Sequence, residues 1–256
     1  MIKIITAFRK HVVKDNCQPN DFEIIRPLEN TISPGSLKCF LPLVCLYLTV
    51  KLITILTIYK IVTIGSLTFS ASALIMPVWF FIGDVISEIY GYRTMKYVIW
   101  CVLFAQFIFA AICWTAIQLP SPTTFHHQEA YLHVLGSLPR VVFSSFVAIF
   151  LGAFVNSYLL SKWKIMMKGK FFVARSFAST SIGEFIFTIT AYSLEFFGKT
   201  PLQQIFSLFI ISYAVKILIN IFSGFPAYLI TRYIKNVEGN EYIDHHLELN
   251  PFTLSR

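Results

Sequence analysis

The sequence predicts an all-α integral membrane protein with six transmembrane helices and both termini in the cytoplasm. Three observations predict this fold class: hydrophobic residues make up 56% of the chain, charged residues only 13%, and the mean hydropathy is +0.67. A soluble domain carries about 25% charged residues, because its surface faces water. We therefore expect much of the surface of this 256-residue chain to face lipid.

The six helices follow from apolar runs that are separated by turn and charged residues. A helix needs about 20 apolar residues to cross a hydrocarbon core roughly 30 Å thick. We place the spans at residues 40–59, 67–90, 95–119, 137–160, 174–198 and 203–230. The chain then divides into a cytoplasmic N-terminal arm (1–38), a transmembrane domain (39–231) and a cytoplasmic tail (232–256).

The predicted orientation follows from the positions of Lys and Arg. Sixteen of them fall on the side of the membrane that holds both termini, and only Lys60, Arg140 and Lys199 fall on the other side. Short cytoplasmic loops carry an excess of these residues. This distribution also explains the net charge of +8 without nucleic-acid binding, which we do not expect.

Motifs for a metal, a cofactor or catalysis are missing from the sequence. Each cysteine stands alone, with no CxxC pair and no histidines at zinc spacing. The chain has no GxxxxGK[ST] nucleotide-binding motif. The histidines of the loop at residues 120–136 are expected to be solvated. We expect no metal, no cofactor and no enzymatic activity.

Two carboxylates in the second span are the first candidates for function. Asp84 and Glu88 are four residues apart, so they share one face of a helix. Charged groups at this depth cost several kcal/mol unless they have a partner or a cavity. The pair could hold a proton, bind a cation or accept hydrogen bonds from a ligand. Alternatively, Glu88 lies at the cytoplasmic interface. Pro77 is expected to kink the same helix.

The fifth span carries a polar stripe with a period of four residues, formed by Ser176, Thr180, Glu184 and Thr188. A stripe of hydroxyl groups around one carboxylate is typical of the wall of a wet or ligand-filled cavity. Asn156 in the fourth span adds an amide that can both donate and accept.

A lysine in the sixth span, Lys216, is expected to pair with a carboxylate or to be neutral. Tyr213 and Asn220 lie on nearly the same face of that helix. A structural salt bridge inside the bundle is the alternative interpretation. Lys51, in the first span, is expected to snorkel elsewhere. The centre would then contain more carboxylates than cations, which suits a ligand rich in N–H donors, or a cation.

The stretch KIVTIGSLTFSASALIMPVWFFIGDVISEIYGYRTMKYVIW, residues 60–100, resembles the signature of the queuosine precursor transporters, also called vitamin uptake transporters. The residues that match this signature are Lys60, Leu67, Thr68, Ser70, Ala71, Pro77, Asp84, Glu88, Tyr90, Gly91 and Arg93. The resemblance continues through Arg140, through RSFASTSIGEF in the fifth span and through YAVKILINIFSGFPAYLI in the sixth. It covers roughly residues 40–232.

This resemblance implies six helices in two similar halves and a transporter that works by alternating access, in a bacterial inner membrane. The implied substrate is a purine-like base, 7-cyano- or 7-aminomethyl-7-deazaguanine, whose guanine-like edge carries several N–H donors. The implied substrate-binding residues are Asp84, Glu88, Asn156, Glu184 and Lys216, to which the polar pattern adds Thr180, Tyr213 and Asn220.

Two positions depart from the family pattern. Family members often have Asp at the positions of Phe187 and Asn156, which leaves the exact base undecided.

Two other functions stay open. The chain could instead be the substrate-binding subunit of a multi-component vitamin importer with a separate ATPase. A membrane enzyme that uses only carboxylates is a third interpretation. Membrane lipids are expected partners, and formation of a homo-oligomer is left open.

Overall fold

Helices dominate the structure, a computed structural model that describes residues 38–122, 124–238 and 250–252. The elements are α1 (Phe40–Thr57), β1 (Ile61–Ile64), β2 (Leu67–Ser70), α2 (Ser72–Gln118), α3 (Gln128–Leu135), α4 (Leu138–Met166), α5 (Phe172–Phe196) and α6 (Leu202–Glu238). The all-α class is confirmed, apart from one short hairpin. The predicted N-terminal arm, except Lys38, and most of the predicted tail lie outside the described residues.

Four helical segments are long and apolar enough to cross a membrane: Phe40–Thr57, Ser72–Gln118, Gln128–Met166 and Leu202–Glu238. Helix α5 is not among them, although its 25 residues would extend about 37 Å. Its length suffices, but its polar side chains lower its mean hydropathy. The protein is therefore a multi-pass membrane protein, and the count of six spans stays a prediction.

Helix α2 joins the second and third predicted spans into one element of 47 residues. A straight helix of this length would extend about 70 Å, more than twice the thickness of a hydrocarbon core. Gly91 interrupts it with φ 81° and ψ 165°, a conformation that favours glycine because it has no Cβ. The predicted loop at 91–94 is thus a kink, which divides α2 into residues 72–90 and 92–118.

The start of the second predicted span is wrong, because residues 67–70 form a strand. Strands β1 and β2 pair antiparallel, from Ile61 opposite Ser70 to Ile64 opposite Leu67. Gly65, with φ 61°, opens the two-residue turn between them. The Ser70 hydroxyl donates a 2.5 Å hydrogen bond to the Ile58 carbonyl. This bond ties the hairpin to the end of α1, and α2 begins only at Ser72.

Helices α4 and α5 approach each other closely through two glycines. A Cβ on Gly152 would lie 2.6 Å from the Gly183 carbonyl oxygen, and a Cβ on Gly183 would lie 2.6 Å from the Asn156 Cβ. Small residues at such crossings allow two helix backbones to pack together in a membrane. This contact holds the Asn156 side chain against α5.

Replacement of Gly152 by valine should destabilise the protein by about 1–3 kcal/mol, because the added side chain overlaps the backbone of α5. The measurement is the thermal unfolding midpoint of the purified protein in detergent. Leu151→Phe is the matched control, since Leu151 is adjacent in sequence but exposed on the outside of α4; its effect should stay within about 0.5 kcal/mol. Equal midpoints for the two variants would contradict the close crossing.

Candidate functional site

The polar stripe of α5 faces the interior of the protein, as its spacing predicts. Its four predicted members, Ser176, Thr180, Glu184 and Thr188, are all buried. The same face continues with two residues that the sequence analysis missed, Tyr192 and Glu195, which are also buried. From residue 176 to residue 195 the stripe extends about 28 Å, close to the thickness of a hydrocarbon core.

Asp84 forms the centre of a hydrogen-bond network between three helices. Its Oδ1 accepts a hydrogen bond from the Asn156 side-chain amide on α4, at 2.7 Å. Its Oδ2 accepts from the hydroxyls of Ser176 and Thr180 on α5, at 2.5 and 2.6 Å. These hydrogen bonds bring Asp84, Asn156 and Thr180 together. Hydrogen bonds to an ionised group are stronger than those between neutral groups.

A small cavity, the Asp84 hollow, lies beside this network between α2, α5 and α6. It is lined by Phe81, Asp84, Ser176, Phe177, Thr180, Asn220, Ser223, Gly224 and Ala227. Its volume for a water-sized sphere is only about 10 Å³, the lower limit for one water molecule. Polar and aromatic side chains thus surround a space that is nearly closed in this conformation.

Glu184, further along the stripe, and Lys216 of α6 share a polar region with Asn220. The Asn220 amide donates a 2.7 Å hydrogen bond to Glu184 Oε2, and Lys216 Nζ donates a 2.9 Å hydrogen bond to the Thr188 hydroxyl. Glu184 Oε1 is buried without a hydrogen-bond partner in the described part of the chain. Asn220 connects this region to the Asp84 hollow, because it lines both.

A second cavity, the Glu195 hollow, contains charged residues outside the predicted set. Its lining includes Lys51, Ser145, Tyr192, Glu195 and Lys216, and it has about 20 Å³ for a water-sized sphere, enough for about one water. The expectation that Lys51 snorkels elsewhere is wrong, since its side chain is only 2% exposed. Glu195 lies seven residues after Thr188, about two helical turns further on the same face, so helical spacing rather than the strict period of four would have found it.

Phe187 lies close to both buried lysines. Lys51 Nζ lies 4.8 Å from the centre of its ring, and Lys216 Nζ lies 5.6 Å from it. A cation over an aromatic face is attracted by the negative π-system. The Phe187 ring therefore contacts the side-chain nitrogens of both lysines.

Glu88 belongs to a separate ion cluster, although it shares a helix face with Asp84. Arg175 makes a two-pronged contact with its carboxylate at 3.1 and 3.3 Å, and Lys235 Nζ lies 3.0 Å from Oε1. Lys164 Nζ donates a 2.6 Å hydrogen bond to the Glu88 carbonyl and lies 3.9 Å from Oε1. Glu88 thus ties α2 to α4, α5 and α6.

Tyr213 lies apart from both hollows. Its hydroxyl donates a 3.2 Å hydrogen bond to the Ser181 carbonyl, and its ring stacks on Phe209. Of the predicted site residues, the structure does not bring Tyr213 or Glu88 to the Asp84 hollow. The other six form one continuous polar region from Asp84 to Lys216.

Comparison with known proteins gives two matches. The family described as "Putative vitamin uptake transporter" matches residues 70–231, a range that includes Asp84, Asn156, Glu184 and Lys216. A curated relative from Bacillus subtilis (strain 168), described as "Probable queuosine precursor transporter", is 24% identical over 185 residues. That alignment covers 72% of this chain and 80% of the relative. No solved structure matches the chain.

Replacement of Glu88 by glutamine should lower the stability of the protein by about 3–5 kcal/mol, because it leaves buried cations without their counter-ion. The thermal unfolding midpoint in detergent measures this loss. Glu129→Gln, on the exposed helix α3, is the matched control and should change stability by less than about 0.5 kcal/mol. A Glu88→Gln protein as stable as this control would show that the ion cluster contributes nothing.

Proposed function

Because the chain belongs to the vitamin uptake transporter family, we propose that it carries a queuosine precursor, a 7-deazaguanine base, across the cell membrane by alternating access. The family is one of transporters and not of enzymes. The description of the Bacillus subtilis relative as a probable queuosine precursor transporter supports a queuosine precursor as the substrate. We infer the substrate from that relative and the mechanism from the site described above.

The observation that carries this proposal is the hydrogen-bond network of Asp84. A guanine-like base presents a ring N–H and an exocyclic amino group side by side, and one carboxylate can accept from both. Asp84 currently accepts from Asn156, Ser176 and Thr180. A bound base would replace some of these donors with its own, so the carboxylate would stay satisfied in both states.

Aromatic and amide side chains complete the proposed site. Phe81 and Phe177 line the Asp84 hollow and could stack on a flat heterocycle. Asn220 and Asn156 each offer both a donor and an acceptor to the remaining polar atoms of the base. Glu184 and Lys216 would adjust the charge of the site when the base enters or leaves.

Entry of a base requires α2, α5 and α6 to separate, since the Asp84 hollow holds at most about one water. Two of these helices contain an internal proline, Pro77 in α2 and Pro226 in α6. Proline removes a backbone hydrogen bond and favours bending at that point. Pro226 follows Gly224, a residue of the hollow itself, so bending there would open the site.

The ion cluster of Glu88 would be the inner gate of this transporter. In the proposed topology of six spans, α1, residues 72–90, residues 92–118, α4, α5 and α6 each cross the membrane, with both termini in the cytoplasm. Glu88, Lys164, Arg175 and Lys235 then lie at the cytoplasmic ends of their helices. Contacts among these four residues close the cytoplasmic side. The four residues must therefore separate before the base is released into the cytoplasm.

The Asp84→Asn variant should bind the base at least about tenfold more weakly, because hydrogen bonds to a charged group contribute about 1.5–3 kcal/mol and the new amide repels a donor. The measurement is binding and uptake of labelled 7-deazaguanine bases by the purified chain in liposomes. Glu129→Gln serves as the control and should behave like the native protein. Unchanged binding by Asp84→Asn would refute this site.

An analogue without the exocyclic amino group should compete at least about tenfold less well for the same site, because it leaves the carboxylate with an unpaired acceptor. Competition against the labelled base in liposomes measures this difference. Equal competition would mean that Asp84 does not contact that edge. Binding without uptake by the purified chain would assign it instead as the substrate-binding subunit of a larger importer.

A further inference from the structure

The Glu195 hollow contains a buried carboxylate without a hydrogen bond. Glu195 is 2% exposed, and its Oε2 has no partner among the residues that the structure describes. Lys51 reaches the same hollow, where its Nζ contacts the faces of Trp79 and Phe187 at 5.0 and 4.8 Å. The carboxylate and the ammonium thus line a space for about one water without a direct ion pair between them.

Cations from α1, α4, α6 and the segment after α5 interact electrostatically with Glu195. The titratable and charged groups that interact with it are Lys51 of α1, Arg140 of α4, Lys199 after α5, Lys216 of α6, and the hydroxyls of Tyr59 and Tyr192. Burial without a hydrogen bond disfavours the ionised carboxylate, whereas these cations favour it. Because the two effects oppose each other, a small change in geometry can change the protonation state of Glu195.

The same cations make this hollow unsuitable for a metal ion. A sodium ion at Glu195 would lie near both Lys51 and Lys216, and like charges at such distances repel strongly in a medium of low dielectric constant. The same lysines also oppose protonation of Glu195, but a proton forms a single O–H bond, whereas a metal ion needs several oxygen ligands around it. The hollow therefore favours a proton over other cations.

Lys216 connects Glu195 to the proposed base site. It interacts electrostatically with both Glu184 and Glu195, and its Nζ also donates to Thr188. When Glu195 is protonated, Glu184 is the remaining carboxylate that balances the charge of Lys216. A stronger attraction between Lys216 and Glu184 would weaken the bond from Asn220 to Glu184, and it would leave the Asn220 amide available in the Asp84 hollow.

We propose that Glu195 binds the proton that drives transport, so that the protein moves its substrate together with protons. Hydronium on the outer side transfers a proton to a carboxylate oxygen of Glu195 in the hollow and becomes water, and after the protein reorients the proton passes from Glu195 to water on the inner side. Only the O–H bond forms and breaks. This inference rests on the proposed transport of a base, to which it adds the driving ion.

The experiment uses the full chain in liposomes with the membrane potential clamped. Two quantities are measured: exchange of labelled base for unlabelled base, which needs no gradient, and accumulation of base under an inward proton gradient. If one proton enters with each neutral base, a gradient of one pH unit supports about tenfold accumulation. A sodium gradient of the same size should support none.

Glu195→Gln should exchange base at close to the native rate but lose gradient-driven accumulation, because glutamine keeps the shape of the side chain and cannot titrate. Retained exchange shows that the variant is folded. Glu129→Gln should keep both activities. In the native protein, a pH-sensitive dye inside the liposomes should report acidification when base is added outside.

Four results would overturn the inference. Proton coupling would be refuted if the native protein accumulated base to the same level with and without a proton gradient, or if it transported base without acidifying the liposomes. Either result would leave the proposed transport intact. Accumulation by Glu195→Gln at the native level would refute Glu195 as the site. Failure of the native protein to exchange the base at all would refute the proposed function, and the coupling with it.

Discussion

Burial of the polar face of α5 is the constraint on which the rest of the structure depends. A helix with Glu184 and Glu195 on one face cannot present that face to hydrocarbon, because an unpaired charge there costs several kcal/mol. The other helices supply the partners: Asp84 from α2, Asn156 from α4 and Asn220 from α6. The glycine contact between α4 and α5 brings Asn156 close enough to take part. Packing and polar satisfaction therefore select the same arrangement of helices.

Three polar levels follow one another along α5, and each one has a different composition. At the predicted inner end, Glu88 is surrounded by Lys164, Arg175 and Lys235 and ties the helices together. In the middle, Asp84 accepts hydrogen bonds from neutral donors, which under the proposed function a bound base would replace with its own. Towards the predicted outer end, Glu195 is buried beside lysines, and its Oε2 has no hydrogen-bond partner among the described residues.

Much of this arrangement could be predicted from the sequence, because in a membrane a polar residue inside an apolar run has few alternatives to the interior. The period of four residues in α5 and the depth of Asp84 predicted that these side chains face the interior, but not the hydrogen bonds between them. The partners of Glu88 could not be predicted, since they come from the ends of three other helices and depend on tertiary packing. Lys51 was assigned to the wrong environment because a long side chain can reach either the surface or the interior. The hairpin was missed although Gly65 and the alternation around it are a recognised signal.

A crystal structure with a 7-deazaguanine base bound would test directly whether Asp84 recognises the substrate. The ring should lie between α2, α5 and α6, with its N–H edge on the Asp84 carboxylate and with at least one of Asn156, Ser176 and Thr180 no longer bonded to it. A base bound elsewhere, with Asp84 still hydrogen-bonded to all three partners, would contradict recognition by Asp84.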